Sequence, residues 1–213
     1  SQALTKNKAA EKIILGEINN HGQGAGGKPD VGRDTALDDY ERLTTMFDGA
    51  DMVFIAAGMG GGTGTGAAPI VARAAKEVGA LAVAIVTKPM SLEFKDDLAE
   101  AGIKELRSEV DSLITIPNQK LSEVFGGDCT MLEAFGHAND VLLGAVRGIA
   151  DIITQTGYIN VDFNDVRTVM AEQGVAMMGT GVASGPSRAK DAAAQAVGLS
   201  LIHISEPTRR STI

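Results

Sequence analysis

Apolar runs and helical patterns alternate through the first part of the chain. The runs are short and rich in Val, Ile and Leu, as buried strands are, whereas the stretches between them carry apolar residues at three- and four-residue spacing. The strands are expected at 52–57, 81–86 and 112–117, and the helices between them at 69–78 and 96–109. Because strand-helix-strand crossovers are right-handed and give parallel strands, the pattern predicts a doubly wound, mostly parallel, Rossmann-like α/β sheet with helices on both faces.

Further elements flank this unit. They are a strand at 12–15, a helix from about Leu37 to Phe47, a long amphipathic helix at 138–155, a shorter helix at 164–171, a strand at 176–181 and an Ala-rich helix at 187–197. Gly79 is the expected stop of the helix that precedes it. The long helix is therefore a central helix that leads into a partial second domain, which the strand at 176–181 would open.

A loop rich in Gly and Thr, residues 58–66, joins the first strand of the unit to its helix, whose pattern begins at Pro69. We call it the glycine loop. The first amides of a helix have no intrahelical partner and its dipole is positive there, so an anion is favoured. Glycines let those amides turn inward, and the hydroxyls of Thr63 and Thr65 add donors. The sequence therefore predicts a phosphate-binding loop.

Three other interpretations of the glycine loop are a P-loop, a dinucleotide-binding loop and a structural turn. A P-loop needs a Lys directly after its last glycine, and the first Lys after this loop is Lys76. The relaxed dinucleotide fingerprint is met by Gly62-x-Gly64-x-x-Ala67, but the next strand ends in Thr87-Lys88-Pro89 and not in an acidic residue. A basic residue there suits only a 2′-phosphate, so an NADP-binding oxidoreductase stays as an alternative. A purely structural turn would need only one or two glycines, which is fewer than this loop contains.

The second glycine-rich stretch, residues 22–29, also leads into a helical pattern. We expect it to close over the terminal phosphate of the ligand. A flexible linker is the alternative.

Near the end of the chain, Asn160, Asp162 and Asp165 form a cluster that can hold a cation and orient a water, as hydrolysis of a phosphoanhydride requires. The alternative there is an Asn cap with an acidic first turn.

Composition narrows the classes of function. The net charge of −8 argues against a nucleic-acid groove and favours a nucleotide bound by backbone amides. Aromatic residues make up 4% of the chain, so the core should be aliphatic and closely packed through Gly and Ala. Cys129 is the single cysteine, which fits a reducing cytoplasm. Three histidines lack a second ligand at metal spacing, so no protein-held metal is expected: His21, His137 and His203. No apolar run suggests membrane insertion.

The run Gly-Gly-Gly-Thr-Gly-Thr-Gly at 60–66, followed by Ala-Ala-Pro, resembles that of the FtsZ-like GTPases of the tubulin superfamily. The resemblance extends from Gln2 to about Val197. It implies that GTP and GDP are the ligands, with Mg²⁺ held mainly by the nucleotide. The residues implied in nucleotide binding are Gly24, Ala25, Gly26, Gly58, Gly60, Gly61, Gly62, Thr63, Gly64, Thr65, Gly66, Glu93, Phe135 and Asn139. Among them, Glu93 would contact the ribose, Phe135 would stack on guanine and Asn139 would bind its edge.

The same resemblance implies an assembly. Asn160, Asp162 and Asp165 match the catalytic loop of the family, which implies GTP hydrolysis completed between adjacent subunits of a head-to-tail homopolymer. The implied setting is the cytoplasm at the division site, in the cell-division ring, with other cell-division proteins as partners through regions missing here. A polymerising module with little hydrolysis is the alternative, because Phe94-Lys95-Asp96-Asp97 replaces the family's Gly-x-x-Arg and its nucleoside-binding arginine.

The resemblance also divides the chain. Residues 1–137 are expected to form the nucleotide-binding domain, 138–156 the central helix, and 157–198 the catalytic loop with the start of a second domain. The segment 199–213 has no counterpart in the family and resembles a translated sequencing adapter. The family's first strand and phosphate loop would precede Ser1, so the 213 residues as they stand are expected to bind GTP weakly or not at all.

Overall fold

The computed structural model describes Leu4 and residues 7–17, 24–90, 94–119, 130–155, 162–171, 174–175 and 183–201. The helices are α1 (Pro29–Asp38), α2 (Tyr40–Phe47), α3 (Gly62–Glu77), α4 (Asp96–Glu109), α5 (Met131–Thr154), α6 (Phe163–Met170) and α7 (Arg188–Leu201). The strands are β1 (Met52–Gly58), β2 (Leu81–Lys88), β3 (Ser112–Pro117) and β4 (Gly174–Val175). They form one parallel sheet in the order β1-β2-β3-β4. The predicted parallel α/β unit is confirmed.

Helices cover both faces of the sheet, and alternate residues of β2 belong to different clusters. One cluster joins the sheet to α3 and α4 through Ile55, Met59, Ala68, Ala72, Ala75, Ala82, Ala84, Val86, Ala99, Leu106, Val110 and Leu113. The other joins it to α5, with α6 packed against it, through Leu81, Val83, Ile85, Ile114, Ile116, Ala138 and Ala145. The buried hydrophobic residues of the described parts include no aromatic side chain. This is the doubly wound, aliphatic core that the sequence predicts.

Helix α3 begins at Gly62 and not at Pro69, so the expected start was wrong. The second half of the glycine loop is the first turn of the helix, and Pro69 lies inside it. Glycine is a poor helix former, but tight packing against α1 stabilises this turn, as described below. The predicted stop is confirmed: Gly79 has a φ of 83°. The Gly79 N–H donates to the Lys76 carbonyl and the Ala80 N–H to that of Ala75, which is a Schellman motif.

Helix α5 also begins earlier than expected, at Met131 in place of Ala138. Thr130 and Glu133 form a capping box, in which the Glu133 N–H donates to Thr130 Oγ1 at 3.3 Å and the Thr130 N–H donates to Glu133 Oε2 at 2.8 Å. The helix has 24 residues and is therefore about 36 Å long. The described residues include no helix long and apolar enough to cross a membrane.

The segment 12–15 is not a strand, contrary to expectation. A strand needs a ladder partner, and the described residues offer it none. Leu15 packs instead against the small cluster of α1 and α3, and the Gly16 N–H donates to the buried Asp39 Oδ2 at 2.7 Å. The strand expected at 176–181 lies outside the described residues, although Gly174 and Val175 just before it pair with β3 in the same sheet. Helix α7 confirms the Ala-rich helix and continues to Leu201.

The Tyr40 phenol makes the free energy of unfolding depend on pH in the alkaline range. Its hydroxyl donates to Glu77 Oε2 at 2.6 Å, and burial, followed by the Glu77 carboxylate, raises the pKa of Tyr40 from 10.0 to about 12. The neutral phenol is thus favoured by folding. Its stabilising contribution is present below pH 10 and is lost as the pH rises through 12.

We therefore expect Tyr40→Phe to be less stable than the wild type at pH 8, by about 1 kcal/mol for the lost hydrogen bond. Urea unfolding of both proteins from pH 8 to 12.5 would measure this difference. The difference should shrink between pH 10 and 12, because only the wild type loses the contribution there. A difference that stays constant across this range would show that the Tyr40 phenol does not stabilise the fold as a neutral donor.

Candidate functional site

Helices α1 and α3 lie side by side and run in the same direction. Near their starts, Gly66 lies against the backbone of Pro29 and Arg33. Farther along, Tyr40, just beyond α1, contacts Glu77 near the end of α3. Both helices therefore have their N-termini at the same edge of the sheet. Since β1 runs directly into the start of α3, this is the carboxyl edge, where parallel α/β sheets bind their ligands.

Neither N-terminus is capped by a side chain of the described residues. The N-cap of α1 is Lys28 and that of α3 is Gly61, and both are without a side-chain cap hydrogen bond. The first amides of each helix therefore lack intrahelical partners, and both dipoles are positive at this edge. Two such N-termini side by side favour an anion with several oxygen atoms, such as a chain of phosphates.

Glycines hold the two N-termini together at backbone distance. A Cβ added to Gly62 would lie 2.7 Å from both the Lys28 amide nitrogen and the Ala25 Cβ. One added to Gly66 would lie 2.7 Å from the Arg33 amide nitrogen, and one added to Gly32 of α1 would lie 3.0 Å from the Gly62 carbonyl carbon. Any side chain at these positions would push α1 from α3. The glycines thus fix residues 24–28 beside the glycine loop.

The glycine loop is also held from within. Met59 N–H donates to the Thr87 carbonyl at 2.9 Å, and Gly60, with a φ of 90°, donates its N–H to Thr65 Oγ1 at 2.9 Å. A φ of this kind favours glycine. Thr65 is 3% exposed, whereas Thr63 is exposed. Of the two hydroxyls that the sequence offers to a phosphate, Thr63 is therefore the accessible one, and Thr65 binds the loop backbone.

Two glycines of the site have no packing reason to be glycine. A Cβ added to Gly24 or Gly61 would meet no described atom within 4 Å, and neither residue has a φ in the left-handed region. Gly61 has a φ of −91° and a ψ of 178°, which other residues adopt readily. Glycine at such positions allows a ligand to approach the backbone closely. Among the described residues, the space beside Gly24 and Gly61 is therefore open to a ligand.

The neighbouring strands end in polar groups. Lys88 Nζ donates to Glu100 Oε1 at 2.7 Å, and this hydrogen bond lowers the pKa of the Glu100 carboxyl. The Lys88 ammonium group, on which the NADP alternative depended, is thus paired with Glu100.

Asn118 directly follows β3, is 5% exposed, and its Oδ1 has no hydrogen-bond partner in the described part of the chain. Such a group is costly when unpaired, so Asn118 is a candidate ligand contact that the sequence analysis missed.

Phe135 and Asn139 lie on α5 four residues apart, and so share one face of the helix. Phe135 is 36% exposed and Asn139 is exposed. Ala138 between them is buried against the second core cluster. The pair is therefore accessible to a ligand. Glu93, the predicted ribose contact, lies outside the described residues, as does Asn160.

Asp162 and Asp165 lie at the other edge of the sheet. Asp162 caps α6, where its Oδ1 accepts the Asp165 N–H at 2.9 Å, and both residues are exposed. Arg167 Nη2 of the same short helix donates to the Gly79 carbonyl at 2.9 Å, just before the start of β2. This places α6 at the amino edge. The eight residues of β2 span about 26 Å, so the structure does not bring the two aspartates to the glycine loop of their own chain.

Two further glycines position the site and were missed in the sequence. Gly32 in α1 and Gly102 in α4 interrupt helical patterns, where glycine costs about 1 kcal/mol relative to Ala. Such interruptions signal a close approach of another group. Gly32 meets the backbone of α3, and Gly102 meets Thr65.

Among the described residues, no three His, Cys, Asp or Glu side chains are grouped as metal ligands.

Residues 1–126 match the model of the Tubulin/FtsZ family, GTPase domain. The chain is 57% identical over 204 residues to the Cell division protein FtsZ of Coxiella burnetii, covering 95% of this chain and 53% of that protein. It is also 57% identical over 200 residues to the Cell division protein FtsZ of Pseudomonas aeruginosa, covering 92% of this chain and 50% of that protein. The chain therefore spans about half the length of these curated relatives.

Solved structures agree with the sequence matches. An empty FtsZ dimer of M. jannaschii has a TM-score of 0.88 at 42% identity, covering 95% of this chain and 59% of that one. The fold alone is shared with a GTPγS-bound CetZ2 protofilament from Haloferax volcanii, with a TM-score of 0.70 at 24% identity over 85% of this chain and 55% of that one. The family match removes the NADP-dependent oxidoreductase as an alternative, and the chain belongs to the Tubulin/FtsZ family of GTPase domains.

Proposed function

We propose that this chain is the nucleotide-binding part of a GTPase that assembles head to tail into filaments of the cell-division ring. One observation carries the proposal: two uncapped helix N-termini meet at the carboxyl edge of the sheet, beside glycines that border open space. This arrangement suits a triphosphate, because backbone amides can bind its oxygens while none of the described side chains fills the space beside these glycines. Phe135, Asn139 and Asn118 offer a ring and amides to the nucleoside. Glu93 is proposed for the ribose.

Bound GTP would supply the reactive phosphoanhydride, with Mg²⁺ held mainly by its phosphates. The glycine loop, with Gly24, Ala25 and Gly26, would bind and orient the phosphates through N–H groups. Asp162, Asp165 and Asn160 are proposed to orient the attacking water, and the carboxylates of Asp162 and Asp165 to accept its proton. The negative charge of the two aspartates suits this role, since an ionised carboxylate near a phosphate can polarise a water but cannot donate a hydrogen bond to the phosphate.

Hydrolysis is proposed to be completed between subunits. The support is the separation within one chain: α6 is hydrogen-bonded to Gly79 at the amino edge, and the glycine loop is at the carboxyl edge. Stacking subunits with the carboxyl edge of one on the amino edge of the next would bring Asp162 and Asp165 to a neighbour's nucleotide. Such a contact joins two different surfaces, so it propagates into a filament instead of closing a dimer.

The whole protein would act at the division site in the cytoplasm, with other cell-division proteins as partners through regions beyond this chain. The names of the curated relatives support this setting. A filament-forming module with little hydrolysis is the second candidate. Phe94 favours it, because this residue is 92% exposed with a φ of 52° where the family has a nucleoside-binding sequence. Phosphate release measured against sedimented polymer would separate the two candidates.

Gly61→Ala tests the open space directly. A methyl group there meets no described atom, so the fold should be unchanged, while a phosphate close to the backbone would be displaced. We expect GTP binding to weaken about tenfold or more, which corresponds to the loss of one charge-assisted hydrogen bond. Calorimetric titration with GTP would measure it in a chimera in which this chain replaces the matching part of the Pseudomonas aeruginosa relative, with circular dichroism to compare the stability of wild type and variant.

Two controls sharpen this experiment. Gly144→Ala adds a methyl to another open position, on α5, and should leave both GTP affinity and stability unchanged. Titration with ATP and NADPH should give weaker binding than GTP in the wild type. Equal affinity of wild type and Gly61→Ala for GTP would contradict a phosphate site beside Gly61, and preference for NADPH would contradict the proposed function itself.

A further inference from the structure

Helix α4 touches the glycine loop at two places, two helical turns apart. At its start, a Cβ on Gly60 would lie 3.0 Å from the Lys95 Cβ and 3.2 Å from the Lys95 carbonyl oxygen. Seven residues later, about 10.5 Å along the helix, Gly102 faces Thr65 and Met59. Gly60 and Thr65 are themselves joined by the buried hydrogen bond from the Gly60 N–H to Thr65 Oγ1. The helix thus contacts both ends of this hydrogen bond.

Gly102 leaves room for the methyl group of Thr65. A Cβ on Gly102 would lie under 3.0 Å from Thr65 Cγ2 and 3.0 Å from Met59 Cε. The end of the Met59 side chain is flexible and can move. Thr65 is buried and β-branched, which makes its side chain stiff. Since Cγ2 and Oγ1 are bonded to the same carbon, any group that displaces the methyl also displaces the oxygen that binds Gly60.

We propose that Gly102 is a positioning residue of the glycine loop, which acts through the Thr65 side chain. Its missing side chain allows the Thr65 methyl to pack against α4, and this packing orients Oγ1 toward the Gly60 N–H. The loop then presents its remaining amides in one fixed shape. That this shape serves a nucleotide phosphate rests on the proposed function, whereas the effect of Gly102 on the loop does not. Glycine inside α4 otherwise weakens the helix.

Gly102→Ala, Thr65→Ser and the double variant test the proposal, with amide exchange measured in the 213-residue chain and GTP binding measured in the chimera with the Pseudomonas aeruginosa relative. Thr65→Ser removes Cγ2, the atom that the new methyl would meet, and keeps the hydroxyl. Loss of the hydrogen bond should make Gly60 amide exchange about tenfold faster in Gly102→Ala and weaken GTP binding about tenfold. In the double variant both values should return to within about twofold of Thr65→Ser alone, because the two changes are coupled through one contact. Exchange is read by NMR.

Gly144→Ala is the matched control, since it adds a methyl to a helical glycine with no described atom within 4 Å. It should leave Gly60 exchange and GTP affinity unchanged. Should Gly102→Ala fail to fold, Thr65→Val carries the test: it keeps two branches at Cβ but removes the acceptor, so Gly60 exchange should again rise about tenfold.

Wild-type exchange in Gly102→Ala, or in Thr65→Val, would overturn the proposal, and so would a double variant as impaired as Gly102→Ala alone. A chimera with the wild-type sequence that binds no GTP would overturn the proposed function instead. In that case the exchange rates alone decide whether Gly102 positions the loop.

Discussion

Asp162→Asn and Asp165→Asn should each lower GTP hydrolysis by about 100-fold or more, the usual effect of losing a group that transfers or orients a proton, and leave GTP binding unchanged. The activity would be measured in a chimera in which this chain replaces the matching part of the Pseudomonas aeruginosa relative. Asn at position 162 can still accept the Asp165 N–H and cap α6. The substitution at position 162 therefore removes the negative charge and keeps the helix cap. It separates a catalytic role of the carboxylate from a purely structural one.

The same variants test where catalysis occurs. A subunit with Asp165→Asn keeps its glycine loop, and a subunit with Gly60→Ala keeps its aspartates but has a strained loop, since Gly60 has a φ of 90°. Mixing the two inactive proteins should restore part of the phosphate release, because one kind of junction then has both parts intact. Hydrolysis by the unchanged chimera should also appear only above a critical concentration.

Asp191→Asn is the control for charge, because it neutralises an exposed aspartate on α7. It should hydrolyse GTP at the unchanged rate. Full activity of both aspartate variants would show that the acidic cluster only caps α6. Activity of the unchanged chimera in dilute monomer, or no recovery in the mixture, would contradict catalysis between subunits.

The sheet could be predicted from the sequence because its strands are buried on both faces. A continuous aliphatic run such as 81–86 has few alternatives to a central parallel strand, and Gly79 marks the end of the helix before it by its backbone conformation. The segment 12–15 has a similar composition but became no strand. Hydropathy indicates which residues favour burial, but it does not indicate whether a neighbouring strand is present for them to pair with.

Helix starts were harder, for two different reasons. The start of α3 was hidden because glycines at 62–66 are poor helix formers, and the packing against α1 that stabilises them is a tertiary contact. The start of α5 was marked in the sequence by Thr130-x-x-Glu133, a capping box. It was missed because the apolar face of the helix becomes regular only from Ala138. Local capping chemistry is the better signal for such a boundary.

The candidate site was located from its glycines, but the sequence could not say what each one does. Gly61 borders open space, Gly60 has a left-handed backbone, and Gly62 and Gly66 allow α1 to approach. All four look alike in a run of glycines. Only the positions of their neighbours distinguish a glycine that serves a ligand from one that serves packing. The edge at which Asp162 and Asp165 lie likewise depends on one long-range hydrogen bond, from Arg167 to Gly79.

This division of roles predicts that Gly66→Ala unfolds or severely destabilises the chain. The new Cβ would meet the Pro29 carbonyl oxygen, and would lie 2.7 Å from the Arg33 amide nitrogen and 2.8 Å from the Pro29 carbonyl carbon. All are backbone atoms of α1 and cannot rotate away, so the whole helix has to move. Overpacking of a core usually costs about 1–3 kcal/mol, and we expect the upper end of this range or more.

The direction of this effect is informative because helix propensity acts against it. Ala is about 1 kcal/mol more favourable than Gly inside a helix, so Gly66→Ala would stabilise α3 if α1 did not touch it. Gly61→Ala, five residues earlier in the same run, meets no described atom and should stay within about 0.5 kcal/mol of the wild type. Urea unfolding followed by circular dichroism measures both. If Gly66→Ala proves as stable as Gly61→Ala, then α1 does not pack on α3 at backbone distance, and the two helix N-termini are not held together as a phosphate site requires.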